Sequence, residues 1–83
     1  MEGAELRADR LEKEEADLAQ AEQDIAAGQV RITEQELRIE ALRAGGHDTT
    51  QAERLLGNLR GSLVEWQALR AEILRLIRSL RKS

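Results

Sequence analysis

Two ladders of apolar residues, each climbing in steps of seven, constrain this chain more than any other feature. The first is Ala4, Leu11, Leu18, Ile25, Ile32 and Ile39, and the second is Ala52, Leu59, Trp66, Ile73 and Leu80. One break separates them, Gly45-Gly46-His47-Asp48-Thr49-Thr50. Seven residues make almost two full turns of an α-helix, so a sustained step of seven keeps one side of each helix facing a partner helix. The pattern predicts an all-α chain: an antiparallel two-helix coiled-coil hairpin.

Composition agrees where it bears on this. There is no proline, hence no obligatory helix breaker, and Ala, Leu, Glu, Gln and Arg dominate. The 83 residues suffice for one small domain, spanning 1–83. The absence of cysteine excludes a disulfide framework and Cys-based zinc sites and suits a reducing compartment. No apolar run approaches the roughly 20 residues of a spanning helix. The start, Met1-Glu2-Gly3-Ala4-Glu5, has neither a basic nor an apolar leader region, so no secretory signal is expected.

The break sets the boundaries. A first helix is predicted over about 3–43, a turn over about 44–49 and a second helix over about 50–81. Gly45 or Gly46 supplies the left-handed residue that ends the first helix. Asp48, Thr49 or Thr50 caps the second, since Asp48 with Gln51 and Thr50 with Glu53 both have capping-box spacing. With the turn centred on His47, Ile39 is expected near Leu55, Ile25 near Leu69, Leu18 near Leu76 and Gly28 near Trp66. A mid-helix glycine costs about 1 kcal/mol relative to alanine. Room for the indole of Trp66 is the expected compensation at Gly28. The first ten residues or so should overhang, because the second helix ends too soon to reach them.

The net charge of −3 does not favour DNA or anionic lipid as a partner. Its distribution says more. Residues 2–24 are strongly acidic, whereas residues 68–83 carry Arg70, Arg75, Arg78, Arg81 and Lys82 against Glu72 alone. An antiparallel hairpin sets these ends side by side, and each sign suits the dipole of its own helix terminus.

Further apolar stripes remain: Val30, Leu37 and Ala44 on the first helix, and Leu55, Leu69, Leu76 with Leu56, Leu63, Ile77 on the second. Two helices packed together bury one stripe apiece. The surplus predicts a homo-oligomer, most simply a two-fold dimer of hairpins forming a four-helix bundle. The candidate interface for a second copy or an unknown protein partner takes Val30 and Leu37 from the first helix. From the second it takes Leu56, Leu59, Leu63, Trp66 and Leu69, continuing through Ile73, Ile77 and Leu80.

Chemistry is not in evidence. His47 reads as a turn residue serving helix-end carbonyls, Asp48 as a cap, and Gly45, Gly46 and Thr49 as the rest of the turn. A metal site needs several converging ligands, and no Glu-x-x-His pair occurs. Glu14-Glu15 and Glu34 with Glu36 point in diverging directions on a helix, as solvated surface does. No Gly-x-Ser-x-Gly, phosphate loop or Cys-His arrangement is present. The expectation is a non-enzyme without catalytic residues, cofactor or metal. Gly57 and Gly61 form a small-xxx-small pair, expected to mark a tight helix approach within the bundle. Residues 69–82 are basic and amphipathic. Their apolar face should complete the bundle, with the arginines meeting the acidic end of the first helix. The alternative is an anionic surface, membrane or RNA. Arg31, Arg38, Arg54 and Arg60 offer phosphate contacts, yet no Phe or Tyr is available for base stacking.

The stretch from Leu18 to Leu59 resembles a group of short, uncharacterised bacterial proteins, notably of alphaproteobacteria. The resemblance lies in Leu18-Ala19-Gln20-Ala21-Glu22, Ile25-Ala26 with Gly28, Arg31-Ile32 and Gln35. It continues through the Gly46-His47-Asp48-Thr49 turn to Ala52 and Leu55-Leu56. It covers about half of the chain, and it implies a bacterial, cytoplasmic helical hairpin with no activity to carry over. From Leu69 onward the chain is more apolar and more basic than that group. The functional expectation is therefore a self-associating hairpin acting as an oligomerisation or protein–protein interaction module. The alternative is a peripheral regulator that binds an anionic membrane surface or RNA through the C-terminal segment.

Overall fold

The computed structural model describes residues 2–82 of the chain; Met1 and Ser83 lie outside them. Helix α1 runs Glu2–Ala44 and helix α2 runs Thr50–Lys82. The two lie antiparallel along each other in a rod whose Cα atoms span 67 × 15 × 14 Å. The fold is the all-α hairpin that the ladders predict.

The turn is held by backbone hydrogen bonds. The Gly46 amide donates to the Arg43 carbonyl at 3.1 Å and the His47 amide donates to the Leu42 carbonyl at 2.8 Å. This nested pair is a Schellman motif, which needs a left-handed residue just past the helix. Gly46 is that residue, with φ at +73°. The Glu53 amide donates to the Thr49 carbonyl at 2.8 Å, opening α2. Neither capping box forms. Asp48 Oδ1 instead accepts from the Thr50 amide at 3.1 Å and from the Thr50 hydroxyl at 2.7 Å. Those two bonds, the hydroxyl's first, hold the Asp48 carboxyl below its ordinary value of 3.8.

The seam between the helices uses both halves of a heptad pattern on each side. On α1 the ladder is joined by Ala21, Gly28, Gln35 and Leu42, three residues beyond successive rungs. On α2 it is joined by Leu56, Leu63, Arg70 and Ile77. Ala21, Gly28, Gln35, Ile39, Leu56, Ile73 and Ile77 are the buried residues among those described. Ala21, Ile73 and Ile77 form one cluster, with Leu11 and Leu18 packed on it.

Two expectations are corrected here. Leu56, Leu63 and Ile77 are not a surplus stripe: Leu56 and Ile77 are buried between the helices and Leu63 is half-buried. Accordingly Ile39 shares its groove with Leu56, and Leu18 packs on the cluster holding Ile77. Leu55, Leu69 and Leu76, expected as the partners, sit on the rim at 43%, 51% and 37% exposure. A slip of one residue rotates a side chain by about 100° around the axis, which is the whole difference between seam and rim.

The expected neighbour of Gly28 is in place. A Cβ built on Gly28 would lie 2.8 Å from Cζ3 and 3.3 Å from Cε3 of Trp66, and 3.8 Å from Cδ1 of Leu63. The indole therefore occupies the space that any other residue's side chain would need. The overhang is also present: residues 3–10 are exposed, and Leu11 is the first half-buried residue of the seam. Among the described residues no helix is long and apolar enough to cross a membrane.

Candidate functional site

The seam divides the hairpin surface into two long flanks, and the ion pairs between the helices among the described residues lie on one of them. On that flank Arg43 pairs with Glu53 at 2.8 Å, Glu36 with Arg60 at 3.1 Å and Glu15 with Arg81 at 2.9 Å. Each seven-residue step along α1 is matched by seven-residue steps back along α2, as an antiparallel register demands. Glu22 joins the row through Arg70 Nε at 3.6 Å. Arg70 holds a seam position between Trp66 and Ile73. It is exposed, since its charged end reaches the flank rather than the interior. All of these partners are about half exposed. Each pair is worth at most about 1 kcal/mol, so the row fixes orientation and register more than stability.

The opposite flank has a different character. Its α2 border is the row Leu55, Ser62, Leu69 and Leu76, and its α1 border is Asp17, Asp24, Arg31 and Arg38. Shallow grooves run between these borders. One is lined by Arg31, Glu34, Gln35, Arg38, Leu55 and Leu59. Another brings Asp17 and Asp24 alongside Leu69, Glu72 and Leu76. Among the described residues no ion pair crosses here. Asp17 is held by Lys13 within α1 at 2.8 Å and Asp24 accepts from Gln20 at 3.1 Å, while Arg31 and Arg38 make no ion pair.

The predicted interface residues thus fall into three places. Leu56, Ile73 and Ile77 are buried inside the hairpin, with Leu59, Leu63, Trp66 and Leu80 half-buried along the same seam. Leu69 is on the leucine-bearing flank. Val30 and Leu37 stand on the back of α1, exposed at 56% and 59%. Leu37 also lines the groove that holds Ile39 and Leu56.

Other candidates resolve simply. The His47 ring lies over Gly45, with Cδ2 2.9 Å from where a Gly45 Cβ would sit, and the residue is exposed. Among the described residues no three His, Cys, Asp or Glu side chains gather to hold a metal ion. Gly57 and Gly61 are not a close helix approach: both are exposed, and a Cβ on either would meet nothing within 4 Å. In the basic segment 69–82, Ile73 and Ile77 face α1, while Arg70 and Arg81 meet its acidic end through Glu22 and Glu15.

One residue that matters escaped the ladders. Gln35 is the only polar side chain buried among the described residues, at 7% exposure, and its Nε2 donates to the Ala52 carbonyl of α2 at 2.9 Å. A lone polar group in a coiled-coil seam fixes alignment, because slipping the helices leaves it unpaired. The signal was its place on the row Ala21, Gly28, Gln35, Leu42, whose small and polar members do not advertise a core.

Compared with family models, with curated proteins and with solved structures, the chain matches none.

Proposed function

We propose that the protein is a non-enzymatic, self-associating helical hairpin, an oligomerisation or protein–protein interaction module working in a reducing compartment such as the cytoplasm. One observation carries this. Among the described residues no large side chain is fully buried, yet seven large apolar ones are exposed at 37–68%: Leu6, Val30, Leu37, Leu55, Val64, Leu69 and Leu76. A hairpin of two helices has no interior beyond its seam, and covering such side chains is worth roughly 1.5–3 kcal/mol each when complete. A second copy provides that cover. The likeness to bacterial hairpins sharing the Gly-His-Asp-Thr turn is compatible with this role and supplies no other.

Docking of residues 69–82 on an anionic membrane or RNA is the competing reading. Burying the apolar face of this segment in a membrane would first have to detach Ile73 and Ile77 from Ala21 and Leu18 and break the pair of Arg81 with Glu15, whereas phosphate contacts through exposed Arg75, Arg78 and Lys82 would not. The molar mass of the purified chain, measured by light scattering across a salt series, separates the two. Hydrophobic self-association gives twice the 9.3 kDa of one chain and persists as salt rises. A compact monomer at every concentration refutes the proposal.

A further inference from the structure

We infer that the leucine-bearing flank binds a second copy of this chain, antiparallel, about a two-fold axis crossing the hairpin between Ala27 and Gly28, so that each helix lies over its own counterpart. This rests on the self-association proposed above and adds the face and the orientation.

The charge order along α1 points to the orientation. Its border on this flank reads Asp17, Asp24, Arg31, Arg38: an acidic half followed by a basic half at a step of seven. Reversing a second copy about the midpoint sets Asp17 opposite the partner's Arg38 and Asp24 opposite the partner's Arg31, and the symmetry repeats both pairs. Arg31 and Arg38 make no ion pair with the described residues of their own chain.

The same axis orders α2. It crosses α2 beside Trp66, the neighbour of Gly28, and so places Leu69 against the partner's Ser62 and Leu76 against the partner's Leu55. Large side chains over small ones let facing layers interdigitate. The other two-fold stacking, with the axis along the helices, would lay α1 over the partner's α2. That sets Asp24 against the partner's Leu69 and Asp17 against the partner's Leu76, charge over leucine, and separates the leucines from one another.

Extent agrees as well. The part of α1 with α2 beside it runs from Leu11 to Ala44, and its midpoint is the proposed axis, so the two copies overlap end to end. That overlap is about 50 Å long at the helical rise of about 1.5 Å per residue, so a face 15 Å wide is on the order of 750 Å², close to the roughly 800 Å² per partner of a standard interface. The flank laced by ion pairs offers no such row of leucines.

The test uses the full chain, which has no native cysteine. Under mild oxidation an equimolar mixture of Leu69→Cys and Ser62→Cys should give a disulfide-linked heterodimer, whereas Leu69→Cys mixed with Val64→Cys or Leu37→Cys, on other faces, should not. Independently, D17R/D24R and R31D/R38D should each self-associate about tenfold or more weakly than the parent, because every interfacial pair becomes like-charged. Mixed together they should form a one-to-one heterodimer, since all four pairs are then restored. Helicity by circular dichroism confirms that each variant folds. If the parent is dimeric but Leu69→Cys does not cross-link preferentially to Ser62→Cys, or the mixed charge variants gain nothing, this face is wrong while self-association stands. A monomeric parent overturns both.

Discussion

A methyl group added at Gly28 tests the packing of the seam more sharply than deleting any large side chain. Replacing a mid-helix glycine by alanine stabilises a helix by about 1 kcal/mol where space allows. At Gly28 space does not allow it: the new Cβ would stand 2.8 Å from Cζ3 and 3.3 Å from Cε3 of Trp66. Carbon atoms prefer about 3.5–4.0 Å, so the ring edge must retreat by roughly 1 Å. The ring is rigid, so the indole moves as a unit and loosens its own packing, and Leu63 Cδ1, 3.8 Å from the new Cβ, borders the same space. Overpacking of this kind costs about 1–3 kcal/mol. Against the gain in propensity, Gly28→Ala should destabilise by up to about 2 kcal/mol. Gly57→Ala and Gly61→Ala supply internal controls, since neither Cβ would meet anything within 4 Å. Each should stabilise by about 1 kcal/mol, raising the melting temperature by roughly 4–8 °C in a domain of this size. The assay is thermal and urea unfolding followed by circular dichroism, with all chains at one concentration because self-association shifts apparent stability. If Gly28→Ala stabilises as much as Gly61→Ala, the indole does not sit over Gly28.

Two further outcomes follow from the polar contacts. Gln35→Leu removes the bond to the Ala52 carbonyl and fills the seam with an apolar side chain. Stability should hold or rise by about 1 kcal/mol while the single alignment is lost, so amide spectra should show more than one set of resonances. Asp48→Asn bears on pH: the folded-state carboxyl sits below 3.8, so as acid is added the unfolded chain takes up the proton first. The parent's advantage over the variant should be complete above the ordinary carboxylate range and shrink as pH falls through the lowered value. A constant difference between their melting temperatures across that range would refute the assignment.

The hairpin itself was legible because heptad spacing and a Gly-Gly break are strong local signals, and the helix ends fall within a residue of expectation. What remained hidden was half of each seam. Ladders of large residues mark one row per helix, but an antiparallel pair interlocks two rows per helix. On α1 the second row is Ala21, Gly28, Gln35 and Leu42, which composition alone reads as surface. On α2 the second row was visible in Leu56, Leu63 and Ile77, yet Arg70 interrupts it, and an interrupted stripe reads as spare. The pairing of Gly28 with Trp66 was recoverable because an unexplained glycine and a solitary tryptophan each ask for the other. The flank bearing Leu55, Leu69 and Leu76 could not be told from the seam one residue away without the register that Glu36–Arg60 and Glu15–Arg81 establish.

The position of Arg70 also gives the folding of this chain an order in time. Contacts near the turn, such as Gln35 with Ala52 and the Ile39–Leu56 groove, close short loops, whereas those of Leu11 and Leu18 with Ile73 and Ile77 close loops of more than fifty residues. Loop closure is cheaper when the intervening chain is already in place, so the helices zip from the Gly-Gly turn outward. The layer where Arg70 leads its charge out to Glu22 contributes no apolar side chain from α2, and the advancing front gains least there. Ahead of it lies the cluster of Ala21, Ile73 and Ile77. Zipping from the turn therefore meets its weakest step at this layer, between the contacts beside the turn and the cluster beyond it.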